Sequence, residues 1–146
     1  VLRIIRELIE FEPLSHKTDI AQALKFLSST QKKKAIVFMI SDFMSDEYEQ
    51  TLKIASKKHD ITGIRVYDIR EEKMPNIGMV SMQDAETGAV QWVNTGSKSV
   101  RLNYEKYYQD KINYFKETFS KSGSGVVNTR VDESYVTKLL GYFKSR

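Results

Sequence analysis

Asp42 is the residue of this sequence best placed to do chemistry. It follows residues 35–40, Ala-Ile-Val-Phe-Met-Ile, an unbroken apolar run rich in β-branched and aromatic types. Such a run cannot alternate between core and solvent, so it predicts a central parallel strand buried on both faces. In open α/β sheets ligands bind at the carboxyl ends of strands, which is where Asp42 stands. The simpler role for Asp42 is to cap the helix that follows. Asp68 has the same placement after residues 61–67, and its simpler role is to turn the chain into the loop at Arg70 and Glu71. The sequence has no cysteine, so disulfides, thiolate nucleophiles and cysteine–metal sites are excluded. Its two histidines, His16 and His59, are too isolated for a histidine-rich metal site and read as solvent-exposed members of charged loops. No nucleophile–base pair, phosphate-cradling glycine loop or pair of catalytic carboxylates is legible, so the expectation is that the protein is not an enzyme.

The elements that must position Asp42 follow from periodicity. Leu2, Ile4, Ile5, Leu8, Ile9 and Phe11 recur at helical spacing, and Pro13 ends that helix, leaving residues 14–17 as a loop. A second helix is expected from Asp19 to about Ser29, burying Ile20, Ala23, Leu24 and Leu27. Thr18 or Asp19 is its N-cap, and Gln22 can close a capping-box-like pair with Asp19. After the first strand, Ser45 or Asp46 can cap a helix from about Asp46 to Lys58, with Tyr48, Leu52 and Ala55 inward and Ile54 at the margin. Residues 61–67 form the next strand, giving a βαβ unit and a right-handed parallel crossover. Residues 71–76, with Pro75, form a loop. Residues 79–83 and 90–94 flank Ala85-Glu86-Thr87-Gly88 as a β-hairpin. A long helix is expected over 98–121, its seam formed by Tyr104, Tyr108, Ile112, Phe115 and Phe119. Residues 125–129 offer a third parallel strand, and Asp132 or Glu133 starts a closing helix containing Tyr135, Val136, Leu139, Leu140 and Phe143.

A length of 146 residues suits one domain or part of one, and the formal charge of +4 allows weak attraction to acidic partners without demanding it. No apolar stretch approaches the roughly 20 residues of a membrane helix. The chain opens at Val1 inside a helical pattern with no signal peptide, so a piece of a longer, cytoplasmic protein is expected, whose parent could be membrane-associated. Lys32 to Lys34 and Lys57-Lys58 read as solvated loop ends and not as a nucleic-acid surface. Trp92 either packs on the sheet or marks an exposed contact surface.

Lys17-Thr18-Asp19-Ile20 before a helix and Ile40-Ser41-Asp42-Phe43 after a strand, with Arg65-Val66-Tyr67-Asp68 and Asp84-Ala85-Glu86-Thr87-Gly88, carry a family resemblance. Their order is similar to the carboxyl-terminal part of a von Willebrand factor A-type (vWA) domain. More closely, the chain resembles the bacterial family called domain of unknown function 58, often encoded beside MoxR-type ATPases. The resemblance implies an α/β fold, a three-layer Rossmann-like parallel sheet lacking its amino-terminal strands and carrying an inserted hairpin. It also implies a metal-ion-dependent adhesion site built from three loops: an Asp-x-Ser-x-Ser stretch, a threonine and an aspartate. Thr18 matches the threonine and Asp42 the aspartate. No Asp-x-Ser-x-Ser occurs in this sequence, so the chain, a single domain over 1–146, would hold a partial site.

The implied function is an interaction module whose intact protein binds a protein partner through a bridging Mg²⁺, in assemblies with a MoxR-type AAA ATPase. Thr18 and Asp42 alone supply too few ligands, so this chain by itself is expected to hold little or no metal. Thr18 reads equally as a helix cap. The alternatives are a nucleotide- or phosphate-binding α/β enzyme using the strand ends at Asp42 and Asp68, and a basic nucleic-acid-binding domain. With a neighbour missing, the edge of the first strand is expected to drive self-association unless the amino-terminal helix covers it.

Overall fold

β-branched and aromatic segments separated by helices assemble as the βαβ rule requires. The computed structural model describes residues 2–12, 17–84 and 87–145, with Leu8 described by its backbone alone. Its elements are α1 (Leu2–Glu10), α2 (Ile20–Thr30), β1 (Ile36–Ser41), α3 (Glu49–Ser56), β2 (Asp60–Tyr67), β3 (Met79–Gln83), β4 (Val90–Asn94), α4 (Lys98–Lys121), β5 (Gly125–Arg130) and α5 (Tyr135–Lys144). The fold is mixed α/β. A three-stranded sheet of order β1-β2-β5 is parallel throughout, and β3 and β4 form a separate antiparallel pair.

The register decides which side chains share a face. Val37, Met39 and Ser41 of β1 align with Ile61, Gly63 and Arg65 of β2, and Gly63 and Arg65 with Val126 and Asn128 of β5. That face is covered by α2, α3 and α4, and its core joins Ile20, Leu24, Leu52, Ala55 and Ile61 to Phe43, Tyr48, Phe115 and Phe119. Gly63 is required beneath α4, since a Cβ there would lie 2.6 Å from Phe119 and 2.8 Å from Phe115. On the other face the Thr62 and Tyr142 hydroxyls lie 3.0 Å apart, and Phe143 meets Phe38 edge-on. Helices therefore flank the sheet on both sides.

Several expectations need correction. β1 is not buried on both faces: among the described strands it ends the sheet, and Ile36, Phe38 and Ile40 are 68%, 45% and 70% exposed. The apolar run was read correctly as strand, but the sequence could not show that this chain leaves one of its faces uncovered. α3 starts at Glu49, behind Tyr48 and without a side-chain cap, and not at Asp46. Residues 42–48 instead form an irregular loop, because Phe43 and Tyr48 are drawn into the core at its two ends. Ala23 is exposed, while Ile20 and Leu24 are buried. The closing helix is capped by Ser134, three residues from its Thr137 N–H, and not by Asp132 or Glu133. Asp132 instead accepts two bonds from Arg130 at 2.8 Å. His59 is not in solvent but 2% exposed, with neither ring nitrogen partnered among the described residues. It follows α3 at the foot of β2, where its backbone N–H donates to Ala55 and carries the ring inward. His16 and the hairpin residues Ala85 and Glu86 lie outside the described residues.

The hairpin strands, α4 and the parallel pairing of β5 stand where periodicity placed them. Trp92 is 69% exposed, which resolves its two readings in favour of a surface position.

Candidate functional site

The local chemistry around β1 builds an outward-facing carboxylate. Beyond Ser41 the chain turns, and Phe43 adopts φ 57°, a left-handed conformation uncommon for an aromatic residue. The strain is offset by burial: Phe43 is 1% exposed, its ring stacked on Phe115 with centroids 4.1 Å apart. Driving Phe43 inward leaves its neighbour Asp42 outside. Asp42 Oδ1 accepts from the Met44 N–H at 3.2 Å and lies 3.3 Å from the Ser41 hydroxyl, which itself accepts from the Phe43 N–H at 3.1 Å. Asp42 thus fixes its own loop while staying exposed, and it does not cap α3.

Thr18 lies just before α2, whose N-cap is Asp19: the Asp19 carboxylate accepts from the Gln22 N–H at 2.7 Å. That assigns the backbone half of the expected capping pair to Asp19 and leaves Thr18 outside the cap. Thr18 and Asp42 line one open cleft of about 440 Å³, together with Met44, Ser45, Asp46, Asp84, Tyr107 and Lys111. Asp68 does not line that cleft. Its Oδ1 accepts from the Arg70 N–H at 2.9 Å and starts the short 3-10 turn Ile69–Glu71, the simpler role read from the sequence.

Sequence reasoning missed the basic wall of the cleft. Lys111 projects from α4 with only 11% of its side chain exposed, pairs with the Asp46 carboxylate, and lies 5.1 Å from the centre of the Tyr107 ring. Burial works against its charge, but the hydrogen bond and charge of Asp46, with Tyr107, hold the ammonium above its ordinary lysine range. The signal was present in outline, since Tyr107 and Lys111 are four apart on a helix and must share a face. Nothing local could have placed Asp84, which the hairpin delivers from a distance.

A second buried cation lies one strand over, aligned with Ser41 across the sheet. Arg65 is 3% exposed, donates from Nη2 to the Tyr108 hydroxyl at 2.6 Å, and stacks 4.0 Å from the centre of the Tyr67 ring. Burial pushes the Tyr108 phenol above its ordinary range; the Arg65 charge opposes this, and Glu71 and Glu72 add to the rise.

The donors in the cleft are hydroxyls and carboxylates, the class that hard divalent cations prefer. They do not suffice on their own. Asp46 is engaged by Lys111, and no group of three acidic or histidine side chains among the described residues could hold an ion. The geometry brings the two proposed ligands together and supplies less than a full shell.

A family model described as "Protein of unknown function DUF58" matches residues 1–113, from α1 through Lys111. The chain belongs to the DUF58 family. An uncharacterised protein of Mycobacterium avium is 25% identical over 135 residues, covering 92% of this chain and 79% of the relative. Uncharacterised proteins of Mycobacterium tuberculosis and Mycobacterium bovis are 23% identical over 135 residues, and there the chain spans 42% of the relative's length. No solved structure matches. The DUF58 match covers Thr18, Asp42 and the whole β1–α3–β2 unit, and leaves β5 and α5 outside it. No described helix is long and apolar enough to cross a membrane.

Proposed function

We propose that this chain is the carboxyl-terminal part of a vWA-like, non-enzymatic interaction module with a Rossmann-like sheet, and that its partner surface is the cleft beyond β1. The observation that supports this reading is the convergence of Thr18 and Asp42, 24 positions apart in sequence, on one cleft at the carboxyl end of a parallel strand. In the full-length protein a Mg²⁺ ion held there would present positive charge to a carboxylate of a protein partner, a MoxR-type AAA ATPase being the one the family resemblance suggests. Thr18 would contribute its hydroxyl and Asp42 its carboxylate. The remaining ligands would come from outside this chain, and the partner surface is placed in the cytoplasm.

The test is co-elution of the full-length protein with a MoxR-type ATPase in Mg²⁺ and in chelator. A complex that forms in Mg²⁺, dissolves in chelator and is lost in Asp42→Ala and Thr18→Ala supports the reading. A complex indifferent to chelator and to both substitutions, with folding verified by circular dichroism, refutes it.

A further inference from the structure

The parallel sheet has a second margin, opposite the one that carries Asp42. There the segments entering its three strands meet: Lys34 lies ahead of β1, His59 and Asp60 open β2, and Ser124 leads into β5. With Ser56 and Lys57 from the end of α3 they line a pocket of about 350 Å³. We propose that this pocket binds a phosphate group, free or carried by a small molecule, with Lys34 and Lys57 supplying charge and His59, Ser56 and Ser124 supplying hydrogen bonds. The proposal is independent of the cleft beyond β1.

His59 separates this pocket from an ordinary solvated crevice. The residue is buried, and neither ring nitrogen has a partner among the described residues. An imidazole always carries at least one N–H donor, and buried polar groups in folded proteins are nearly always paired. An oxyanion in the pocket would accept that N–H once the ring turns towards it, giving His59 the partner that the chain withholds. Charge points to the same ligand. Lys34 and Lys57 come from two basic runs that read as solvated loop ends, and the fold brings both to one pocket. Neither pairs with a carboxylate among the described residues. Asp60 is the single carboxylate lining the pocket, and the two ammonium groups outweigh it. The ends of α3 and α4 abut the pocket, but their carbonyls are satisfied: Ala55 accepts from the Lys58 and His59 N–H groups, Ser120 from Gly123 and Phe119 from Ser124. No phenylalanine, tyrosine or tryptophan among the described residues lines the pocket, so a nucleobase would find nothing to stack on and the phosphate itself is what is recognised.

Calorimetric titration of the full-length protein in chloride buffer, with inorganic phosphate and separately with methyl phosphate, tests this. Binding at one site is expected, weakened about tenfold by Lys34→Gln and by Lys57→Gln. Lys32→Gln, in the same basic run as Lys34 but outside the pocket, should stay within about twofold of wild type. The His59 ring gives a second readout without substitution at a buried position. Its NMR resonances should shift when phosphate is added and stand still in the Lys34→Gln/Lys57→Gln double variant. Methyl phosphate binding as tightly as inorganic phosphate supports a phosphorylated small molecule as the ligand, and weaker binding supports the free ion. Absence of binding to either probe, equal weakening by Lys32→Gln, or His59 resonances unmoved by phosphate would overturn the proposal.

Discussion

Gly63→Ala tests whether the closeness of α4 to β2 is what holds this fold together. A Cβ at Gly63 would lie 2.6 and 2.9 Å from Phe119 Cε1 and Cζ and 2.8 Å from Phe115 Cε2, contacts that real side chains do not sustain. The rings cannot step aside cheaply. Both are 0% exposed, and Phe115 is stacked on Phe43, which also meets Phe119 edge-on at 5.3 Å. Overpacking of this kind costs about 1–3 kcal/mol. Replacing glycine returns about 0.4–1 kcal/mol by reducing the freedom of the unfolded chain. The overpacking wins, for a net loss of about 1–2 kcal/mol, or about 3–6 °C in Tm for a domain of this length. Urea unfolding followed by circular dichroism reads it directly. The double variant Gly63→Ala/Phe119→Leu should be less destabilised than the two single losses summed, since leucine lacks the ring atoms that clash. A Gly63→Ala midpoint at or above wild type, or strict additivity in the double variant, would refute the reasoning.

Four further outcomes follow from buried groups and the sheet edge. The Tyr48 hydroxyl is buried without a hydrogen-bond partner among the described residues, so Tyr48→Phe should be neutral or stabilise by up to about 1 kcal/mol in urea unfolding. Burial pushes the Tyr48 phenol far above its ordinary range, with the Tyr114 and Asp46 charges adding to the rise. Below the unfolded-state value near 10 both states keep the proton and stability is unaffected; above it the unfolded chain ionises first and stability falls, so absorbance titration should show Tyr48 ionising only as the chain unfolds in alkali. Tyr108→Phe leaves the Arg65 guanidinium buried and without its hydroxyl acceptor; a loss of about 2–3 kcal/mol is expected in the same unfolding assay. The edge of β1, which no described strand pairs, and its exposed face should make the chain self-associate, with light scattering rising with concentration, and Ile40→Lys should suppress this with little change in stability.

What was legible in the sequence was whatever depends on local period and punctuation. The hairpin strands and α4 match their expected bounds because alternation, turn residues and a seam spaced by three or four are written into consecutive residues. β5 was legible because Gly123, at φ 71°, ends the preceding helix and a short apolar segment follows it. The start of α3 was not legible. Ser45 and Asp46 are good caps by type, but the burial of Phe43 and Tyr48 sets the loop's length, and that is a tertiary fact. His59, at the foot of β2, and Arg65, within it, escaped for the same reason: what packs over a polar residue decides whether it is drawn inward. Of the residues lining the cleft, Asp42 was singled out by its place after a strand and Thr18 by its family motif, whereas Lys111 and Asp84 are brought there by elements remote in sequence.

The strand that ends beside Asp42, the ligand proposed above, also carries the exposed apolar face. β1 has β2 on one side, and beyond β2 the chain turns at Asp68, which spends its carboxylate on the Arg70 N–H. That neighbour therefore gives Asp42 no help. The other flank of β1 pairs with no described strand. A strand added there in parallel would end beside Asp42, and the loop following it would face the cleft, because strands paired in parallel carry their carboxyl ends to the same margin. A strand added antiparallel, as in accidental edge pairing between two copies, would bring its amino end to that margin. Under the metal reading proposed above, parallel pairing would bury Ile36, Phe38 and Ile40 beneath whatever accompanies the new strand and bring a following loop beside Thr18 and Asp42, where it could add oxygen ligands for the ion, whereas antiparallel pairing would bring no such following loop. Under that reading, strand direction at this edge decides which loop comes to lie beside Asp42.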